Sequence, residues 1–152
     1  MNAFQRAEEQ RLFKERRIVP VWIEFRAAVN TLINSYNDTE EGRIHPASGK
    51  SQNDTDILIS CDKQRAADQI HTITLTIQIS LNKGVCTITV SQERWLRIHG
   101  SRVRKENDST AHFKLDANFE TSEEWLVGKG GTRWGVFACA ESVLKNALAP
   151  QP

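Results

Sequence analysis

Apolar positions change period twice along the chain. Trp22, Phe25, Val29, Leu32, Ile33 and Tyr36 recur at helical spacing and make one wide apolar face. Glu24, Arg26, Asn30, Thr31 and Asn34 fall away from it. From residue 72 the period drops to two. Ile73, Leu75, Ile77, Ile79 and Leu81 face one way, and Thr72, Thr74, Thr76, Gln78 and Ser80 the other, as on a strand with one buried face. Asn82, Lys83 and Gly84 read as a hairpin turn. The returning strand sets Cys86, Ile88 and Val90 inward, and a bulge near Gln92 would carry it into Trp95–Ile98. The helical period returns at Val136, Phe137, Ala140, Val143, Leu144, Ala147 and Leu148, with Pro150 as its stop.

The remaining segments are less regular. Residues 2–17 are rich in Gln, Glu, Arg and Lys, with only Phe4, Leu12 and Phe13 as bulky apolar members. That predicts a peripheral helical extension over 2–19, with Pro20 either starting a second helix or kinking a continuous one. Residues 37–56 are dense in Asn, Asp, Ser, Thr, Gly and Pro, and predict a mobile polar loop. A short strand follows at 57–61, then a polar connection at 62–69. Residues 105–110 read as a polar break before Phe113, Leu115, Ala117 and Phe119 resume alternation. Residues 121–127 fit a helical turn, with Thr121 to Glu124 as a capping box, as well as they fit a short strand.

Short turns between strands make neighbours antiparallel. The expected fold is therefore α+β and one domain over 1–152: an N-terminal helical segment, a curved antiparallel sheet of four to six strands, and a C-terminal helix packed on one sheet face.

Composition narrows function without naming one. With 152 residues and a formal charge of +1, bulk charge favours no polyanionic partner. Three cysteines at scattered spacings argue against a disulfide framework and for a reducing compartment. No apolar run approaches the roughly 18 residues of a membrane span, and the first residues hold no apolar leader core. A cytoplasmic protein without membrane attachment is expected. The four histidines lie in separate segments and there is no Cys-x-x-Cys pair, so neither a metal nor a cofactor is expected.

Two stretches carry candidate chemistry. Gly128, Gly130, Gly131 and Gly135 bracket Lys129, Thr132 and Arg133 before the last helix. A helix N-terminus with two cations binds anions, so Lys129, Gly130, Gly131, Thr132 and Arg133 are candidate ligands of a small anion. The plainer reading makes the glycines turn residues and Thr132 an N-cap. The second stretch, residues 94–105, holds Arg94, Arg97, Arg102, Arg104 and Lys105 with Trp95 and His99 interleaved, a mix that binds phosphates and stacks planar groups. Its plainer reading is pairing with the acids at 106–124. Cys61 and Cys86 read as small core residues, and Cys139 sits near the edge of its helix stripe.

The leading expectation is a non-enzymatic module binding a small anionic ligand or a protein, with a homodimer contact available on the N-terminal helix. An enzyme acting on a small anionic substrate through the loop at 128–135 is the alternative. Nucleic-acid binding through 94–105 comes third, since the near-zero charge and the acidic stretch beside it count against it.

Overall fold

In the computed structural model, which describes residues 1–149, a 35-residue helix α1 (Ala3–Asn37) leads into a short α2 (Glu40–Ile44). Seven strands follow: β1 (Ala47–Asn53), β2 (Asp56–Ala66), β3 (Gln69–Asn82), β4 (Val85–Ile98), β5 (Ser101–Ala117), β6 (Glu124–Val127) and β7 (Arg133–Trp134). Helix α3 (Val136–Leu148) comes last. The strands pair in chain order, each antiparallel to the next, in one curled sheet. The α+β expectation holds, with seven strands rather than four to six. Pro150, the expected stop of α3, lies outside the described residues.

Strand alternation sorts the side chains. Ile57, Ile59 and Cys61 of β2, Ile73, Leu75 and Ile77 of β3, and Cys86, Ile88 and Val90 of β4 are buried on the concave face. Helices α1 and α3 lie there and complete one core with Phe25, Val29, Ile33, Cys139, Ala140 and Leu144. Ile79 is only partly buried and Leu81 is exposed, because the apolar stripe of β3 outruns its helical cover. On α3, Phe137 is exposed while Cys139, placed by the helical wheel near the stripe's edge, is fully enclosed.

Helix α1 runs through Pro20 without interruption. Asn2 and Gln5 close a capping box at its start, each side chain accepting from the other residue's backbone N–H at 2.9 Å. None of the first twenty residues is fully buried, and of their hydrophobic side chains Ile18 packs against the edge of the core. Polar contacts hold this stretch to the sheet. Arg17 makes two hydrogen bonds to Glu124, and Gln10 grips both the Ala117 carbonyl and the Phe119 N–H.

Composition misjudged three segments and left a fourth open between two readings, each for a local reason. Residues 37–56, expected as a mobile loop, carry α2 and β1. Asn37 clamps them by accepting from the Ala47 N–H at 2.8 Å and donating to the Ala47 carbonyl at 2.9 Å, and Tyr36 donates to the His45 carbonyl. The polar connection at 62–69 is the pairing of β2 with β3, which reaches Ala66 and Gln69. The break at 105–110 is the middle of β5, paired with β4 throughout, the extra residues being absorbed as bulges beside Trp95 and Arg97 rather than near Gln92. Residues 124–127 form a strand, β6, because β5 offers them an open edge at Lys114–Ala117.

Among the described residues no helix is long and apolar enough to cross a membrane.

Candidate functional site

Beyond Val127 the chain leaves the sheet until β7, and among the described residues no strand pairs with β5 over Ser101–Phe113 on the side away from β4. The loop at 128–132 folds back beside that open edge. It is built by its own hydrogen bonds: Gly128 N–H donates to the Thr132 carbonyl at 2.9 Å, and Gly131 N–H to the Gly128 carbonyl at 3.2 Å. Gly130 and Gly131 adopt φ of 74° and 78°, which L side chains rarely take. Gly128 has a different reason, since a Cβ there would lie 3.1 Å from the Phe113 ring.

Loop and edge enclose an open pocket of about 580 Å³. Its floor is Phe113, Trp134 and Val127, and its rim carries His112, Lys114, Lys129 and Thr132. Lys114 and Lys129 have no carboxylate within 4 Å among the described residues. The His112 ring is held by Thr89, with Nδ1 at 3.1 Å from the hydroxyl oxygen. Apolar floor and cationic rim together suit a ligand that is apolar at one end and negative at the other.

The candidate anion ligands are thus divided. Lys129, Gly131 and Thr132 line this pocket, with Gly130 in the turn between them. Arg133 points elsewhere, into a smaller cavity with Asp116 and Glu123. Strand β7 separates the loop from α3, whose N-cap is Gly135, and neither that cap nor the first turn of α3 lines the pocket. Thr132 is not that cap, and its hydroxyl donates to the Lys129 carbonyl at 3.3 Å.

The basic stretch is divided too, because strand alternation sends its members to opposite faces. Trp95 lies on the convex face with Arg102 at 5.0 Å and Lys105 at 5.4 Å over its ring. Lys105 also sits near Glu93 and Asp108. Arg97 donates to the Gly100 carbonyl, and His99, in the turn, lies 3.3 Å from Asp68. Arg104 lies 3.6 Å from Glu106. Arg94 is buried on the concave face.

That last placement exposes a group missed in the sequence. Among the described residues the buried side chains other than hydrophobic ones and cysteine are Lys63, His71 and Arg94, and they share a cavity of about 220 Å³ with Arg65, Glu41 and His45. They occupy inward positions of β2, β3 and β4, continuing the apolar rows past the end of α3. Lys63 donates to the Leu148 carbonyl at 2.6 Å and Arg94 to the Ala147 carbonyl at 3.3 Å, so both cations meet the negative end of that helix. Burial pulls the Arg94 pKa down, and the charge of Glu106 pulls the other way. The signal was a lysine and an arginine standing in phase with isoleucines.

The three cysteines are free and buried. Burial pushes the thiols of Cys61 and Cys86 up and that of Cys139 up to about 12, which holds them protonated. Among the described residues no group of three or more His, Cys, Asp or Glu is arranged to hold a metal. The chain matches no protein-family model, no curated protein and no solved structure.

Proposed function

We propose that this protein is a non-enzymatic binding module for small amphiphilic anions, received between β5 and the loop at 128–132. One observation carries the reading: two lysines without acidic partners stand on the rim of a pocket floored by Phe113 and Trp134. An aromatic or aliphatic body would cover the floor, where apolar burial supplies affinity. A carboxylate or phosphate would meet Lys129 and Lys114. Thr132 and the hydrogen-bonded His112 would fix its direction. The backbone N–H groups of Gly128 and Gly131 are taken up within the loop, so the anion is held by side chains rather than by a glycine nest.

A titration of the labelled chain with benzoate and octanoate, with acetate as the control, tests this. Amide shifts at 110–114 and 127–132 and at the Trp134 indole are expected for the first two and not for acetate. Lys129→Ala should weaken binding about threefold to tenfold without moving the unfolding midpoint. Equal shifts with acetate, or none with any of the three, would refute the reading.

The open edge of β5 favours one second reading, an extended peptide adding a strand along Ser101–Phe113. Its signature is protection of those amides from exchange on binding, which a small anion would not produce.

A further inference from the structure

The cavity at the C-terminal end of α3 holds more hydrogen-bond donors than its protein acceptors use. Lys63 spends one N–H on the Leu148 carbonyl, and its ammonium pairs in charge with Glu41, whose carboxylate oxygen is 3.1 Å away. Arg94 is 4% exposed. Its only side-chain hydrogen bond among the described residues is from Nη2 to the Ala147 carbonyl, and its Nε–H is buried without a partner. A buried donor left unpaired is costly, and more so when it belongs to a cation.

Capping the helix explains one bond from each cation. It does not explain why the guanidinium's Nε is left without a partner, nor why a further arginine lines the same cavity. Arg65 is exposed and lines the same cavity, close enough to oppose the charge of Arg94. The lining thus carries Lys63, Arg65 and Arg94 against Glu41 alone. Glu106 stands behind His71, 3.0 Å from its Nδ1 but without hydrogen-bond geometry, and also near Arg104. Arg94 feels the repulsion of Arg65 as well as the attraction of Glu106, and a negative ligand beside the two arginines relieves the repulsion.

We propose that this cavity is a second ligand site, selective for a small oxyanion, with Arg94 and Lys63 as its buried donors and Arg65 at its mouth. An oxyanion supplies several acceptors in one compact group, and guanidinium donors match its geometry. At about 220 Å³ the cavity suits a phosphate group or a short carboxylate, and not the larger apolar body argued for the pocket on β5. Because Lys63 and Arg94 also hold the last carbonyls of α3, an anion here ties that helix end to β2 and β4. Binding therefore raises the stability of the α3 terminus.

The test uses the full chain, labelled and titrated separately with sodium phosphate, acetate and succinate, with sodium chloride at matched ionic strength as the control. The readout is the Arg94 Nε–H resonance. A saturable shift with phosphate or with a carboxylate supports the site, and the comparison between them tells which oxyanion it prefers. Arg65→Ala, at an exposed position, should weaken that shift about threefold to tenfold and leave the urea midpoint unchanged. Arg94→Lys removes the planar donor and should abolish binding, while Arg65→Ala keeps the test valid if that buried variant folds poorly. The proposal is overturned if no ligand moves the resonance by about 10 mM. It is equally overturned if chloride reproduces the shift, if Arg65→Ala leaves affinity unchanged, or if shifts appear only at 128–134. The last result would leave the pocket on β5 standing by itself.

Discussion

Replacing Ile77 by alanine tests the placement of the core. Ile77 is fully enclosed on β3. It pairs with Ile57 on β2 and Val90 on β4, both buried on the same concave face. The substitution removes three carbons. At about 0.8 kcal/mol for each buried methylene, the transfer loss alone is about 2.4 kcal/mol. The cavity left behind adds to this, because strands paired on both sides cannot close over it, so the expected total is about 3–4 kcal/mol. Thr76, one residue earlier, points to the convex face and makes no side-chain hydrogen bond among the described residues. Thr76→Ala should cost less than about 1 kcal/mol. Urea melts of both variants, compared at equal slope, measure the difference. Similar costs for the two would show that the faces of β3 are assigned wrongly. A small cost for both would show that the helices do not seal this part of the sheet.

Other expectations follow from particular contacts. A Cβ on Gly42 would fall 1.9 Å from the Tyr36 carbonyl oxygen, so Gly42→Ala should push α2 off the end of α1 and cost about 2–4 kcal/mol in a denaturant melt; a neutral substitution would contradict the packing. The Arg17–Glu124 pair is two-pronged, at 2.6 and 3.0 Å, but partly solvated, so a double-mutant cycle should return about 0.5–1 kcal/mol at low salt and less at high salt. Cys61, Cys86 and Cys139 should resist a thiol reagent at pH 8 until the chain unfolds, and rapid labelling of the native protein would show that the core opens there. The Cys139 thiol keeps its proton to about pH 12 when folded, against an ordinary value of 9.0, so the unfolded chain releases protons first as pH rises. Stability should hold below pH 9 and fall between there and about pH 12, by about 1.4 kcal/mol per pH unit for this thiol; a flat profile would refute its burial.

The fold was legible where one face is apolar over a long run. The stripes of β3, of α3 and of the second half of α1 each mark a buried surface, and periodicity needs nothing else to find them. It failed where partners decide. Residues 105–110 contain no apolar side chain at all, and they are strand because β4 supplies a neighbour opposite each of them but the bulged Glu106. Charged residues there cost nothing on an exposed ribbon. The segment 37–56 was obscured differently, since its anchors are the amide of Asn37, which composition counts as a loop former, and the phenol of Tyr36, which the helical stripe had already claimed.

The candidate sites show the same division. Turn chemistry at Gly130 and Gly131 was visible, but which cations would join the loop was not. That depends on β7, whose two residues turn Arg133 toward Asp116 and Glu123 and leave Lys129 on the pocket rim. The buried cations were hidden by the habit of reading a charge as the end of an apolar stripe. Along β2 the inward series is Ile57, Ile59, Cys61, Lys63, and along β4 it is Cys86, Ile88, Val90 and, two inward positions later, Arg94. Each strand continues past its last apolar member without a turn residue, so the parity persists and the charge is carried inside. Only a partner makes that tolerable, and the end of α3 supplies one carbonyl to each cation. One carbonyl satisfies neither an ammonium nor a guanidinium in full. The unmatched donors are therefore a consequence of where α3 stops relative to β2 and β4, and that length relation is what a ligand at the cavity would exploit.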